Sequence, residues 1–101
     1  MKNAKTVTID LTKSVVAKHY RLDISELNEN NFSWPRAVAM YLARELTEQS
    51  LAAIGNAFHK DNDSALLACK DIKHAVRYSA RFDSGFSGMI DSLKAKIKAS
   101  A

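Results

Sequence analysis

Residues 34–77, WPRAVAMYLARELTEQSLAAIGNAFHKDNDSALLACKDIKHAVR, decide the fold of this chain. Apolar side chains return at three- and four-residue spacing in the first half of this stretch, which predicts helices with one buried face. A proline suits the first turn of a helix and a serine suits a helix cap, so Pro35 and Ser50 indicate where two helices begin. The apolar positions are Val38, Leu42, Leu46, Leu51, Ile54 and Phe58.

The second half of this stretch predicts a turn and a further helix. Residues 59–62 are expected to form the turn, and a polar residue among 61–63 can cap the helix that follows. Gly55 costs about 1 kcal/mol inside a helix, which indicates close packing against the neighbouring helix. Residues 50–76 therefore predict a helix-turn-helix. The expected buried stripe of its second helix is Leu66, Cys69, Ile72 and Val76.

The residues before Pro35 predict two more helices and a loop. Asp10 can cap a first helix that runs to about Tyr20. Residues 23–26, DISE, match the capping box of a short second helix, with Ile24 and Leu27 expected to face inward. The polar run NENNFS at 28–33 then indicates a loop.

The residues after the helix-turn-helix predict one last helix. Asp83 or Ser84 can begin it, and its apolar positions are Phe86, Ile90, Leu93 and Ile97. Only 3 Gly and 1 Pro punctuate the 101 residues, which favours helices over strands and turns. We expect residues 1–101 to form one all-α domain of five or six helices.

Composition excludes several classes of protein. No apolar run reaches membrane-spanning length, and the start MKNAKTVTID lacks the apolar stretch of a secretion signal. The one cysteine, Cys69, cannot form an internal disulfide. We expect a cytoplasmic protein with no membrane partner. His19, His59 and His74 lack metal-ligand spacing, no Gly-rich phosphate loop is present, and no nucleophile–base pair stands out, so we expect no enzyme, metal or cofactor.

The positive charge permits nucleic-acid binding without requiring it. The formal net charge is +4, but three of the cations crowd the C-terminal end, where lysines also favour a helix end. A second group, at helical spacing, lies along the second helix of the helix-turn-helix and is either a DNA-backbone-binding face or an ordinary solvated face. The first group is Lys94, Lys96 and Lys98, and the second is Lys70, His74, Arg77 and Arg81, with Lys73 beside it.

Residues 8–98 resemble the C-terminal DNA-binding domain (domain IV) of the bacterial replication initiator DnaA. That family typically reads PRQIAMYLARELT, then a helix of the SLPEIG-AF kind, then a GGRDHTTVLHACRKI-like turn and recognition helix. Here the chain reads PR and AMYLARELT within 35–47, SLAAIGNAF at 50–58 and HKDNDSALLACKDI at 59–72. The resemblance implies an all-α, Trp-repressor-like fold and recognition of a nine-base-pair box at the replication origin.

The resemblance also implies which residues contact DNA. The family turn Arg-Asp-His-Thr-Thr corresponds to Lys60, Asp61, Asn62, Asp63 and Ser64, in a turn one residue shorter. Asn62 can still pair with a base edge, whereas the Asp63 carboxylate is repelled by phosphate unless it accepts from a cytosine amino group. The expected DNA-binding residues are Arg36, Arg44, Lys60, Asp61, Asn62, Asp63, Ser64 and Lys70. Alternatives stay open: Asp61, Asn62 and Ser64 are also cap residues, and Arg44 could pair with Glu48.

One departure from the family favours a different class of function. The loop before Pro35 is strongly basic in the family, but here it carries Glu29 and neither Lys nor Arg, and Trp34 replaces an arginine. Each phosphate contact contributes about 0.9 to the slope of the logarithm of the binding constant against the logarithm of the salt concentration, so the loss of several contacts weakens binding at physiological salt. The alternative is a divergent relative that lost box recognition and acts as a protein-interaction module or homodimer through Phe32 and Trp34. The chain is either a fragment of a larger initiator or a free-standing relative, and the start at Met1 favours the latter slightly.

Overall fold

A computed structural model describes residues 6–29 and 32–101. These residues form helices only, as expected: α1 (Ile9–His19), a 3₁₀ helix (Ile24–Asn28), α2 (Ser33–Leu46), α3 (Leu51–Ala57), α4 (Asn62–Phe82) and α5 (Gly85–Ser100). The prediction of five or six helices is confirmed. Residues 30 and 31 of the predicted loop lie outside the described residues. In the described ranges, no helix is both long and apolar enough to cross a membrane.

Two details of the first helices differ from the prediction. The Thr8 hydroxyl accepts the Leu11 N–H at 3.0 Å, so Thr8 rather than Asp10 caps α1. Asp10 lies instead in the first turn, where a carboxylate favours the positive end of the helix dipole. Leu27 is fully buried as expected, but Ile24 is 46% exposed. The inward prediction for Ile24 was wrong: Ile24 is the first residue of a short 3₁₀ helix, and Leu27 is the residue of that helix that reaches the core.

Helix α2 is the centre of the fold. Six consecutive residues, 38–43, are buried, so neighbours cover this helix on all sides. Those neighbours are α1, the 3₁₀ helix, α3 and α4, while α5 closes the core against α1 and α4. Ala39 and Ala43 are fully buried and small, which lets the surrounding helices approach closely. The apolar side chains that fill the core around α2 include Val16, Leu27, Ile54, Phe58, Ile72, Ile90, Leu93 and Ile97.

Helices α3 and α4 form the predicted helix-turn-helix. The Ser50 hydroxyl accepts the Ala53 N–H at 3.0 Å and caps α3, as expected. His59 then adopts a left-handed φ of 59°, and the Lys60 N–H donates to the Gly55 carbonyl at 2.8 Å. The Asp61 carboxylate accepts the Ser64 N–H at 2.8 Å, so Asp61 is the cap of α4.

Gly55 is required by the turn itself rather than by a neighbouring helix. A Cβ added at Gly55 would lie 2.6 Å from the Asp61 carbonyl oxygen and 2.9 Å from that of Lys60. Backbone oxygens in a tight turn cannot move aside as a flexible side chain can. The glycine therefore allows the chain to fold back over α3 and start α4.

Replacing Gly55 with alanine is expected to lower the free energy of unfolding by about 1–3 kcal/mol, the usual cost of overpacking, despite better helix propensity. Gly88 in α5 is the matched control, since an added Cβ there meets nothing within 4 Å. Gly88→Ala should stabilise the chain by up to about 1 kcal/mol. Urea denaturation of both variants measures the difference. Equal effects at the two positions would contradict this account of the turn.

Helix α4 contacts the core through a narrow stripe. Ala65, Ile72 and Ser79 are buried at seven-residue spacing, which is two turns of the helix. The prediction that Leu66 is buried was wrong, because the small Ala65 lies against the core and leaves the next residue 45% exposed. Cys69 was expected to be buried and is only half-buried. Its thiol donates to the Met40 carbonyl at 3.7 Å, and burial raises its pKa.

Candidate nucleic-acid interface

The start of α4 presents polar side chains to solvent. Asn62, Asp63 and Ser64 are all exposed in its first turn, immediately after the cap at Asp61. Since Asp61 makes the cap hydrogen bond, the side chain of Asn62 is not needed for that purpose. This removes capping as the reason for an asparagine at position 62.

The Asp61 carboxylate is held by the residue that follows it by one turn. The Ser64 backbone N–H, and then its hydroxyl, lower the pKa of Asp61 below its ordinary value. A carboxyl group whose pKa is lower in the folded state than in the unfolded state stabilises the fold. The stabilisation is complete at a pH above the unfolded-state pKa, and it is lost as the pH falls through the folded-state pKa. Asp61 therefore keeps its charge and fixes the first turn of α4 at neutral pH.

We expect the first turn of α4 to loosen in acid. The amide of Ser64 should show a pH titration whose midpoint lies below the ordinary range of an aspartate, since its N–H reports the Asp61 carboxylate. An NMR titration of the Ser64 amide measures this midpoint, and Asp61→Asn is the control because asparagine can cap without titrating. A midpoint at or above the ordinary value would contradict the observed hydrogen bond.

Two clefts flank the first half of α4, one on each side. The first, of about 290 Å³, lies between the starts of α2 and α4, and the second, of about 230 Å³, lies toward the end of α2 and the start of α3. Lining residues of the first cleft include Trp34, Arg36, Lys60, Ser64 and Leu67. Those of the second include Arg44, Leu51, Leu66, Lys70 and Lys73. Five of the eight DNA-binding residues expected from the sequence line these clefts, and the other three form the helix start between them.

Arg36 combines a structural contact with a position beside the first cleft. One guanidinium nitrogen donates to the Glu29 carbonyl at 2.9 Å and lies 3.4 Å from the Leu27 carbonyl, so it binds the end of the 3₁₀ helix. Burial lowers its pKa, but an arginine remains charged at neutral pH. With five N–H donors, Arg36 keeps further donors for a phosphate after these contacts.

Arg44 and Lys70 are exposed cations on the opposite side of α4. The Arg44 guanidinium donates to the Gln49 carbonyl at 3.1 Å, so in the described residues it contacts the connection between α2 and α3 rather than pairing with Glu48. Lys70 follows Leu66 by one turn and lies on the same cleft. Together the two side chains place positive charge beside the first half of α4.

Carboxylates reduce the positive charge of this surface. Asp61 and Asp63 lie at the helix start, Asp71 lines the first cleft, and Glu45 lines the second. Cations from both clefts surround them: Arg36, Arg44, Lys60, Lys70 and Lys73. The surface is thus mixed in sign with an excess of cations, and we expect modest affinity for a polyanion.

The second half of α4 carries an aromatic pair that the sequence reasoning missed. Tyr78 and Phe82 are 61% and 66% exposed, and their ring centroids lie 4.6 Å apart. The expected basic face is exposed beside them, with Arg81 over the Phe82 ring at 5.8 Å. Four-residue spacing of two aromatics on a polar helix face was the available signal. Since α4 has 21 residues and is about 31 Å long, this pair lies well away from the helix start.

Lys13 supports the helix-turn-helix from α1 and was also missed. Its ammonium group donates to the Ala57 carbonyl at 2.7 Å and lies 4.8 Å from the centroid of the Phe58 ring. Helix ends leave carbonyls without partners inside the helix, and a cation there satisfies one of them. Lys13 therefore fixes the end of α3, from which the turn departs.

The described residues do not bring metal ligands together. In residues 6–29 and 32–101, no three His, Cys, Asp or Glu side chains are placed to hold a metal ion. The half-buried thiol of Cys69 contacts a backbone carbonyl instead.

These features define a helix-turn-helix domain of the DNA-binding class: a short helix, a glycine-dependent turn and a longer helix whose polar start is exposed between cations. More particularly, the chain belongs to the helix-turn-helix family of the bacterial DnaA protein. The family model described as the bacterial DnaA protein helix-turn-helix matches residues 9–72, more than half of the chain. The family and the all-α fold class predicted from the sequence are confirmed.

Relatives of similar sequence support the same family. The chain is 38% identical over 100 residues to the chromosomal replication initiator protein DnaA of Symbiobacterium thermophilum, covering 94% of this chain. It is 33% identical over 98 residues to that of Caldanaerobacter subterraneus, covering 93%, and 34% identical over 96 residues to that of Psychromonas ingrahamii, covering 90%. In each case it spans 21% of the relative's length.

Proposed function

We propose that residues 1–101 act as one sequence-specific domain for double-stranded DNA, with the start of α4 in the major groove. DNA binding in general follows from the family. The observation that supports base recognition is the exposure of Asn62 and Ser64 at the helix start while Asp61 holds the cap. An asparagine side chain can pair with both N6 and N7 of adenine.

The clefts beside α4 supply the expected backbone contacts. A helix in the major groove has one phosphate strand on each side, and cations lie on each side of α4. In this proposal Arg44 and Lys70 contact one strand, and Lys60 and Arg36 contact the other. Asp63 meets a base edge rather than a phosphate, where it can accept from a cytosine amino group.

The biological role that we propose is recognition of a replication-origin box or its regulation. The relatives named above are chromosomal replication initiators, of which this chain spans about a fifth. In this proposal the domain binds DNA and thereby positions an initiator, or a regulator of the initiator, on the chromosome.

Fluorescence anisotropy tests this function. One labelled duplex carries an initiator-type nine-base-pair box and the other a scrambled box, each titrated at low and near-physiological salt. We expect a preference for the box of about tenfold or more, equivalent to about 1.4 kcal/mol. Equal, steeply salt-dependent binding to both would leave only general attraction to DNA. No binding at low salt would overturn the proposal.

A second candidate function is protein interaction or homodimerisation through Phe32 and Trp34. The observation that favours it is the exposure of Trp34, which is 46% exposed although its ring lies only 5.6 Å from that of Phe86. Phe32 is half-buried at the start of α2, so Trp34 presents most of the apolar surface. Exposed tryptophan is frequent in protein interfaces.

Sedimentation equilibrium of the chain and of Trp34→Ala distinguishes the second candidate. Self-association that disappears in the variant would support a dimer through this surface. A monomer at every concentration, together with preference for the box duplex, would contradict it. Phe82→Ala is the matched control, because Phe82 is also an exposed aromatic residue but lies at the far end of α4.

A further inference from the structure

Two leucines stand exposed on the outer face of the first half of α4. Leu66 is 45% exposed and Leu67 is 60% exposed, next to residues that are polar or charged. Leu67 follows Asp63 by four residues and Ser64 by three, so it shares their side of the helix. It also borders the first cleft together with Lys60 and Arg36. A large apolar side chain thus lies on the side of α4 from which the proposed function has Asp63 and Ser64 meet base edges.

Leu67 does not serve the fold in this position. The buried stripe of α4 runs through Ala65, Ile72 and Ser79, and Leu67 lies on the other side of the helix. Leu66 is the less exposed of the two, and it lines the second cleft together with Leu51 and Lys70. Leu67 is therefore the more available of the two leucines for a contact outside the chain.

The major groove offers one apolar group to such a side chain. Thymine carries a methyl group at C5, whereas the other groups at that groove edge are hydrogen-bond donors and acceptors. An aliphatic side chain gains by covering a methyl group and loses by covering an unpaired donor or acceptor. A leucine on a helix in the major groove consequently discriminates for thymine at the base pair beneath it.

We infer that Leu67 is a specificity-determining residue that reads a thymine methyl group in the major groove. The inference rests on the proposed function, because it requires α4 to enter that groove. The DnaA-like pattern has histidine where this chain has Leu67, so the apolar contact is a feature of this chain that the family pattern does not predict. It adds an apolar reading of an A·T base pair to the polar reading by Asn62.

The test uses duplexes that differ only in the methyl group. The first is an alternating dA–dT duplex, and the second is the same duplex with deoxyuridine in place of every thymidine. Both are titrated by anisotropy at low salt, where sequence-independent binding keeps complexes measurable. Burying one methyl group corresponds to about a fourfold difference in Kd. We expect the methylated duplex to bind about fourfold more tightly, and Leu67→Ala to reduce the ratio to about one.

Two controls make the outcome decisive. Leu66→Ala removes a neighbouring leucine and should keep most of the methyl preference. An alternating dG–dC duplex, with and without 5-methylcytosine, presents the same methyl group on another base pair. A preference for the methylated dG–dC duplex that is lost in Leu67→Ala would show that the methyl group, and not the flexibility of the dA–dT duplex, causes the difference in Kd. Leu67→Ala is expected to fold, because the side chain is exposed and alanine favours helix.

Each remaining outcome contradicts the inference in a distinguishable way. Equal binding of the two alternating duplexes by the unaltered chain, or a preference that survives in Leu67→Ala, removes the role of Leu67 and leaves DNA binding intact. A methyl preference that is lost in Leu66→Ala but kept in Leu67→Ala would show that Leu66, and not Leu67, contacts the methyl group. Absence of binding to every duplex at low salt overturns the proposed function together with this inference.

Discussion

Replacing Arg44 and Lys70 together with alanine should lower the salt dependence of DNA binding by about 1.8 in log–log slope. Each phosphate contact releases condensed counterions and contributes about 0.9 to that slope, so two contacts account for the change. Both side chains are exposed beside the second cleft, and the hydrogen bond that is lost with Arg44, to the Gln49 carbonyl, lies at the surface, so the fold is expected to tolerate their removal. At near-physiological salt we expect the loss in affinity to exceed tenfold, because the two contributions add.

The control is a second double variant with the same net charge as the Arg44 and Lys70 variant. Lys96 and Lys98 are exposed on α5, and replacing both with alanine removes two positive charges from another surface. Binding isotherms at four or five salt concentrations give the slope for each variant. A control that weakens binding as much as the Arg44 and Lys70 pair would show that overall charge, rather than the cleft beside α4, controls affinity.

Replacing Asn62 with alanine should lower the discrimination between the preferred duplex and its scrambled form. A good bidentate contact to a base contributes about 1–3 kcal/mol of discrimination, which is a factor of about five to 150 in Kd. Fold stability should change little, because Asp61 rather than Asn62 makes the cap hydrogen bond. Binding to the scrambled duplex should stay nearly the same, since that affinity comes from phosphates.

Competition with unlabelled preferred and scrambled duplexes measures this discrimination directly. Ser64→Ala is the companion variant, and the two substitutions together should lower the discrimination further than either does alone. Asn56→Ala is the control, because Asn56 is exposed on α3 but lies outside the proposed contact surface. Discrimination that is unchanged in the double variant would place base recognition elsewhere on the chain.

Local sequence patterns were sufficient for most of the helices. Pro35 lies in the first turn of α2, and Ser50 caps α3, because these preferences arise from backbone chemistry within one turn. The burial of Leu66 was predicted wrongly because periodicity alone cannot choose between adjacent positions. The core accepted the small Ala65 where α4 approaches its neighbours closely.

Long-range contacts explain what the sequence could not supply. Lys13 and the Ala57 carbonyl are separated by 44 residues along the chain, and no local rule pairs them. Gly55 signalled a close approach, but only the structure shows that the partner is the backbone of the turn. The residue types of the candidate interface could be predicted from family resemblance. Their arrangement in two clefts depends on how α2 and α4 cross.

The central claim is that the first half of α4 meets DNA, and NMR mapping of the chain with an unlabelled duplex tests it most directly. On addition of the preferred duplex, amide signals of residues 60–70 and Arg44 should shift most. Those of α5 should remain nearly unchanged. Shifts confined to residues 74–82 or to the surroundings of Trp34, with residues 60–70 unaffected, would contradict the account.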